Sequence, residues 1–228
     1  MSKTILINGY GTGISQALAE QFGAEGFAVA LAARSADRLA EGVKGLEAKG
    51  IRAAGFQTDL ADLPAISKLI KDVQSKLGPI DVVQWNAYAS GAGDFLTNDA
   101  AEVRTPIDLA VTSLIATVQA ALPDLRSRKG AVLVTNGGLG ALDPAVDAMG
   151  VQWKAMGLAV ANAAKTKLVR LLSEQLKPEG VYVGEVVVLT VVKGTAWDQG
   201  NATLEASTIA RKFWQLYSER RELSVQVG

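Results

Sequence analysis

Short, almost uniformly apolar runs alternate along the chain with longer stretches in which apolar residues recur every three or four positions. The short runs predict strands at 4–8, 27–34, 52–60, 80–87, 131–136, 181–192 and 222–227. The longer stretches predict helices over 12–26, 35–50, 63–78, 101–127, 150–177 and 203–220. In the first, Ile14, Leu18 and Phe22 share a face and Gly26 ends the run; in the third, Ile66, Leu69, Ile70, Val73 and Leu77 do so. Strands that are apolar on both faces belong to a parallel sheet covered by helices on each side. No composition break or low-complexity segment divides the chain. The expected fold is α/β: a single doubly wound Rossmann-type domain over residues 1–228, with a parallel sheet of about seven strands.

Composition narrows the chemistry. The 228 residues carry 23 basic and 23 acidic side chains, so the net charge is zero and no basic stripe offers itself to nucleic acid. There is no cysteine, which removes disulfides, thiolate metal sites and a cysteine nucleophile. There is no histidine, which removes serine–histidine triads and most transition-metal sites, and no metal is expected. Acid–base work would fall to Tyr, Lys, Asp or Glu. The N-terminal apolar run is too short for a signal peptide, and no stretch is expected to reach the ~20 apolar residues of a membrane span. The expectation is a cytoplasmic protein without a membrane partner.

The first strand runs straight into Gly9-Tyr10-Gly11-Thr12-Gly13-Ile14-Ser15. Glycines at 9, 11 and 13 allow a sharp turn and close approach of a phosphate, and the helix that follows offers free N–H groups to a pyrophosphate. A glycine-rich loop alone is weak evidence; between a strand and a helix it is a good dinucleotide signal. The second strand ends in Ala33-Arg34-Ser35, with Arg38 one turn on, where an NAD site has a carboxylate for the ribose. A guanidinium and a hydroxyl suit a 2′-phosphate, so NADP is the expected cofactor. Tyr10 is expected to cover the cofactor rather than react.

These residues together resemble the short-chain dehydrogenase/reductase family over nearly the whole chain. Asn8-Gly9-Tyr10-Gly11-Thr12-Gly13-Ile14-Ser15 corresponds to the family's opening motif, Asp59-Leu60 to its adenine-contacting pair, and Asn86-Ala87-Tyr88 to its Asn-Ala-Gly. "QAALP" at 119–123 and "KLVRLLSEQLKPEGVYV" at 167–183 are similar to other members. Residues 210–216, "ARKFWQL", resemble a divergent subgroup without the motif tyrosine. The resemblance implies NADPH, a carbonyl or alcohol substrate, and a homodimer or homotetramer.

The family's proton relay uses Ser, Tyr, Lys and an Asn, and here the departures gather. The Asn aligns with Ala110, the Ser with Gly137 and the Tyr with Ala161; Lys165 is left, expected to hold the nicotinamide ribose. The Pro-Gly after the sixth strand is replaced by Val188-Leu189. Alanine neither donates a proton nor polarises a carbonyl, and losing one such donor typically costs ~10²–10³ in rate. Tyr88 stands where the family has a small Gly, at the carboxyl end of a central strand. It is either a replacement acid or a plug that narrows the pocket. Asn136 could hydrogen-bond the carbonyl in place of the Ser. Two functions stay open: an oxidoreductase with a rearranged proton donor, and an NADP-binding protein without turnover.

Overall fold

In the computed structural model, which describes residues 2–195 and 197–228, the apolar runs become seven strands. They are β1 (Thr4–Asn8), β2 (Ala28–Ala33), β3 (Ala53–Gln57), β4 (Val82–Trp85), β5 (Ala131–Gly137), β6 (Tyr182–Val188) and β7 (Ser224–Val227). All pair in parallel in one sheet of order β3-β2-β1-β4-β5-β6-β7. The order reverses beside β1, and that reversal opens a crevice at the carboxyl ends of β1 and β4.

Alternate residues of each strand face opposite layers. Ile5, Ile7, Val29 and Leu31 point to one core with Leu18, Phe22 and Phe213. Leu6, Ala30, Val83 and Val134 point to the other, with Ile66, Leu114 and Val169. The first layer is covered by α1 (Ile14–Ala24), α2 (Ala36–Glu47) and α8 (Ala206–Glu219). The second is covered by α3 (Leu63–Leu77), α5 (Ser113–Arg128) and α7 (Met156–Leu176). The result is one Rossmann-like α/β domain. The "ARKFWQL" segment lies in α8, where Phe213 is fully buried and Trp214 meets Phe22 edge-on at 5.3 Å.

Two long helices differ from expectation. Residues 101–127 are not one regular helix: a 3₁₀ turn (Ala100–Val103) leads into α4 (Arg104–Ile107), a π-helical turn (Asp108–Thr112) and then α5. The stretch 150–177 is broken in two. Asp143 caps α6 (Pro144–Gln152) through Ala145 N–H at 2.8 Å, and Lys154, left-handed at φ 51, separates it from α7. One membrane expectation also needs correction: Ala100–Arg128 has the length and apolar composition of a membrane span. Its apolar stripe of Leu114, Val118, Ala121 and Leu125 is packed in the core beside α3.

Candidate active site

The first loop turns on Gly9. Its φ is 82°, and a Cβ there would lie 2.6 Å from the backbone of Ala87, so only glycine fits between β1 and the end of β4. Gly9 N–H and Tyr10 N–H both donate to Ala32 C=O, at 3.0 and 2.9 Å. Ser15, quoted in the motif but given no role from sequence, holds the turn. Its hydroxyl donates to Gly9 C=O at 2.9 Å and accepts from Asn86 Nδ2 at 2.6 Å. A small hydroxyl in the first turn of a helix was the available signal. Asn86 therefore ties β4 to α1 through its side chain.

The start of α1 fits a pyrophosphate. Its cap residue, Gly13, makes no side-chain cap bond, and the first turn holds no acid. By contrast Ser35, Asp62 and Asp143 cap α2, α3 and α6. The first N–H groups of α1 are thus left without a side-chain acceptor. Thr12 is exposed, and Gly11 lies beside Arg38, whose Nη1 would be 3.8 Å from a Cβ at residue 11. Arg34, Ser35 and Arg38 are all exposed, and among the described residues neither arginine pairs with a carboxylate. This end of β2 can take a phosphate dianion. Asp59 is exposed, with Oδ1 accepting from Ala61 N–H at 3.0 Å, while Leu60 is buried in the core.

Tyr10 departs from its expected place over the cofactor. Its ring turns under α2 and occupies the space a side chain on Gly42 would need. Burial, helped by Glu20 and Glu41 and opposed by Arg38, raises its pKa above the usual phenol value. A cleft of about 190 Å³ opens here between α1 and α2, lined by Tyr10, Thr12, Gln16, Glu20, Arg38 and Glu41 among others. Two carboxylates, Glu20 and Glu41, line it beside Arg38, and it lies apart from the β4 and β5 ends.

At the β4 and β5 ends, Ala87 is buried and Tyr88 is 50% exposed. The Tyr88 hydroxyl accepts from Trp197 Nε1–H at 3.1 Å, joining the segment after β4 to the segment after β6. Asn136 does not offer its amide to a carbonyl, contrary to expectation. It is buried and committed: Nδ2 donates to Asn162 C=O (3.1 Å), Thr166 Oγ1 (2.8 Å) and Glu185 Oε2 (3.2 Å), and Oδ1 accepts from Gly137 N–H (3.0 Å).

Lys165, expected at the nicotinamide ribose, lies on the sheet-facing side of α7. It is 4% exposed, and burial pushes its pKa down to about 8 against the opposing pull of the Glu185 carboxylate. Glu185 pairs with Val134, three residues short of the β5 end. Helix α7 runs back along the sheet, from Gly157 beside Ala92 to Leu176 beside Val181. The residue one turn before Lys165 is therefore the one that reaches the strand ends. That residue is Asn162: a Cβ on Gly137 would lie 2.6 Å from its Nδ2. Residues 162 and 165 share a helix face, which was the signal available in the sequence. Ala161 and Ala110 are buried. Among the described residues no cluster of three His, Cys, Asp or Glu could hold a metal.

An open parallel sheet with an uncapped glycine turn at its switch point defines a Rossmann-type nucleotide-binding α/β domain. This chain belongs to the short chain dehydrogenase family, whose model matches residues 3–203. It is similar to meso-2,3-butanediol dehydrogenase of Serratia marcescens, 29% identical over 188 residues, covering 81% of this chain and 70% of that protein. Among solved structures, a double mutant of a Serratia marcescens short-chain dehydrogenase/reductase superposes with a TM-score of 0.87 at 19% identity, covering 99% of this chain and 96% of the other. An NADPH-bound short chain oxidoreductase from Pseudomonas aeruginosa PAO1, described as containing an atypical catalytic centre, gives 0.85 at 21%, covering 99% and 95%.

Proposed function

We propose that this chain is an NADP-dependent oxidoreductase of the short-chain type, acting on a carbonyl or alcohol with a proton donor other than the family tyrosine. The observation that carries the reading is the end of β2, where Arg34 and Arg38 stand exposed and, among the described residues, pair with no carboxylate, next to an uncapped α1. NADPH, when bound, supplies the hydride. The amides of Gly11, Thr12, Gly13 and Ile14 would hold its pyrophosphate, Arg34, Ser35 and Arg38 its 2′-phosphate, and Asp59 its adenine. The NADPH-bound relative from Pseudomonas aeruginosa supports that cofactor and also has an atypical centre.

The motif's polar groups are absent at Ala110, Gly137 and Ala161. Tyr88 is the phenol nearest the carboxyl end of β4. Its oxygen accepts from Trp197, which leaves the hydroxyl proton free to be given. Those same three absences favour a second reading, an NADP-binding protein without turnover, which shares the cofactor site and predicts no NADPH oxidation with any carbonyl.

Calorimetric titration with NADPH and NADH tests the cofactor. The expected result is NADPH tighter by at least about tenfold, and Arg38→Glu removing most of that preference. Equal affinities would overturn the NADP assignment; binding of neither would overturn both readings. Turnover in the wild type that is lost in Tyr88→Phe would then assign the proton donor.

A further inference from the structure

Most of the large apolar side chains left exposed among the described residues follow the carboxyl ends of three adjacent strands. Tyr88, Phe95 and Leu96 follow β4, Leu142 and Trp153 follow β5, and Trp197 follows β6. Leu96 and Leu142 are 94% and 95% exposed, so neither serves the core. The three segments touch one another. Gly157 N–H donates to Ala92 C=O at 3.0 Å, Trp197 bonds Tyr88, and Leu189 Cδ2 would be 3.0 Å from a Cβ on Gly138. They form one rim around the crevice where open α/β sheets bind ligands.

Much of the charge in these segments is engaged locally. Asp94 accepts from Leu96 N–H and Asp143 from Ala145 N–H. Asp198 accepts from the N–H groups of Gly194, Gly200 and Ala202, and Lys193 pairs with Glu205 at 3.0 Å. Among the described residues the rim offers no cluster of cations for an anionic substrate.

Beneath it one polar side chain is uncommitted. Asn162 is 4% exposed, yet neither its Nδ2 nor its Oδ1 has a hydrogen-bond partner among the described residues, and neither atom is sealed from solvent. A ligand oxygen that reaches this amide would take the place of the water that can now meet it. Gly137 leaves the space in which this amide sits.

We propose that the crevice takes a neutral, largely apolar carbonyl compound, a medium-chain or aromatic ketone or aldehyde, and that Asn162 Nδ2–H donates a hydrogen bond to its oxygen. The assignment of this ligand as a substrate rests on the oxidoreductase reading; its binding does not.

Octanamide, whose carbonyl NADPH does not reduce, is the probe, with acetamide and octanoate as controls. Each is titrated calorimetrically into the protein with and without saturating NADPH. The expected result is octanamide at least about tenfold tighter than either control, from buried apolar area without an added charge. Asn162→Ala and the near-isosteric Asn162→Leu, which carries no polar atom, should each weaken octanamide about tenfold, the scale of one hydrogen bond, while NADPH affinity changes less than about twofold.

Acetamide binding as well as octanamide would overturn the apolar class, and octanoate binding as well would overturn the neutral one. Unchanged octanamide binding in both variants would overturn the role of Asn162. So would a loss of NADPH affinity with octanamide affinity kept, which would make Asn162 a cofactor ligand. If the wild type binds octanamide but no NADPH, the proposal stands and the cofactor reading fails.

Discussion

Burial makes Lys165 a liability at neutral pH. Its folded pKa is about 8 and its unfolded value 10.5. Between those values the unfolded chain holds one more proton than the folded one, so stability rises as pH rises from about 8 to 10.5. Below about 8 both states are protonated and the full penalty is present. Lys165→Met should remove that slope and raise stability at pH 7 by on the order of 3 kcal/mol. Urea unfolding at intervals from pH 7 to 10.5 reads both effects, and a slope that survives the substitution would refute the account. Two glycines give opposite predictions. Gly9→Ala meets the Ala87 backbone at φ 82° and should cost more than about 1 kcal/mol and weaken NADPH binding. Gly45→Ala, in α2 with open space around it, should gain about 0.5–1 kcal/mol. Thermal melts of the two variants decide both.

An ion pair fixes the amino-terminal end of the sheet. Asp81, buried just before β4, accepts from Thr4 N–H at 2.8 Å and pairs with Arg128 Nε at 2.9 Å. Arg128→Met leaves that carboxylate buried without its cation and should cost about 3 kcal/mol or more, measured by denaturant unfolding at pH 7. Adding Asp81→Asn should restore part of the loss. At this scale the sequence is a good guide to strands, because β1, β2 and β4 are buried on both faces and nothing but an apolar run satisfies that. It is a poorer guide to which side of a helix a residue occupies. One residue of error turns a side chain by about 100°; Lys165 and Asn162 instead share a face and differ by one turn along α7, which sets Asn162 nearer the strand ends. Asn136 misleads for a different reason: no motif announces that an amide will be fully used by Thr166, Glu185 and a helix carbonyl. The break at Lys154 is equally silent in a run that is otherwise helical in period.

The whole molecule should respond to its cofactor by mass action. NADPH at about a hundredfold its Kd should add about 2.7 kcal/mol to the unfolding free energy, a rise in Tm of about 2–4 °C per kcal/mol for a chain of this size. NADH at the same concentration should add much less. Scanning calorimetry with each nucleotide checks this, and equal shifts would count against the phosphate site at the end of β2.

The π-helical turn at Asp108–Thr112 carries a consequence for kinship as well as for shape. Such a turn holds one residue more than an α-helical one, so it behaves as a single-residue insertion that the fold has absorbed. Deleting Leu109 would let the stretch wind as one α-helix while Arg104–Ile107 and α5 keep their relative orientation, because the bulge already takes up the extra residue. Pro106, which a Cβ on Gly91 would meet at 3.5 Å, would keep its place beside the segment after β4. A homologue lacking that residue would keep the same sheet and the same mouth, so a one-codon gap here marks lineage and not a change of substrate.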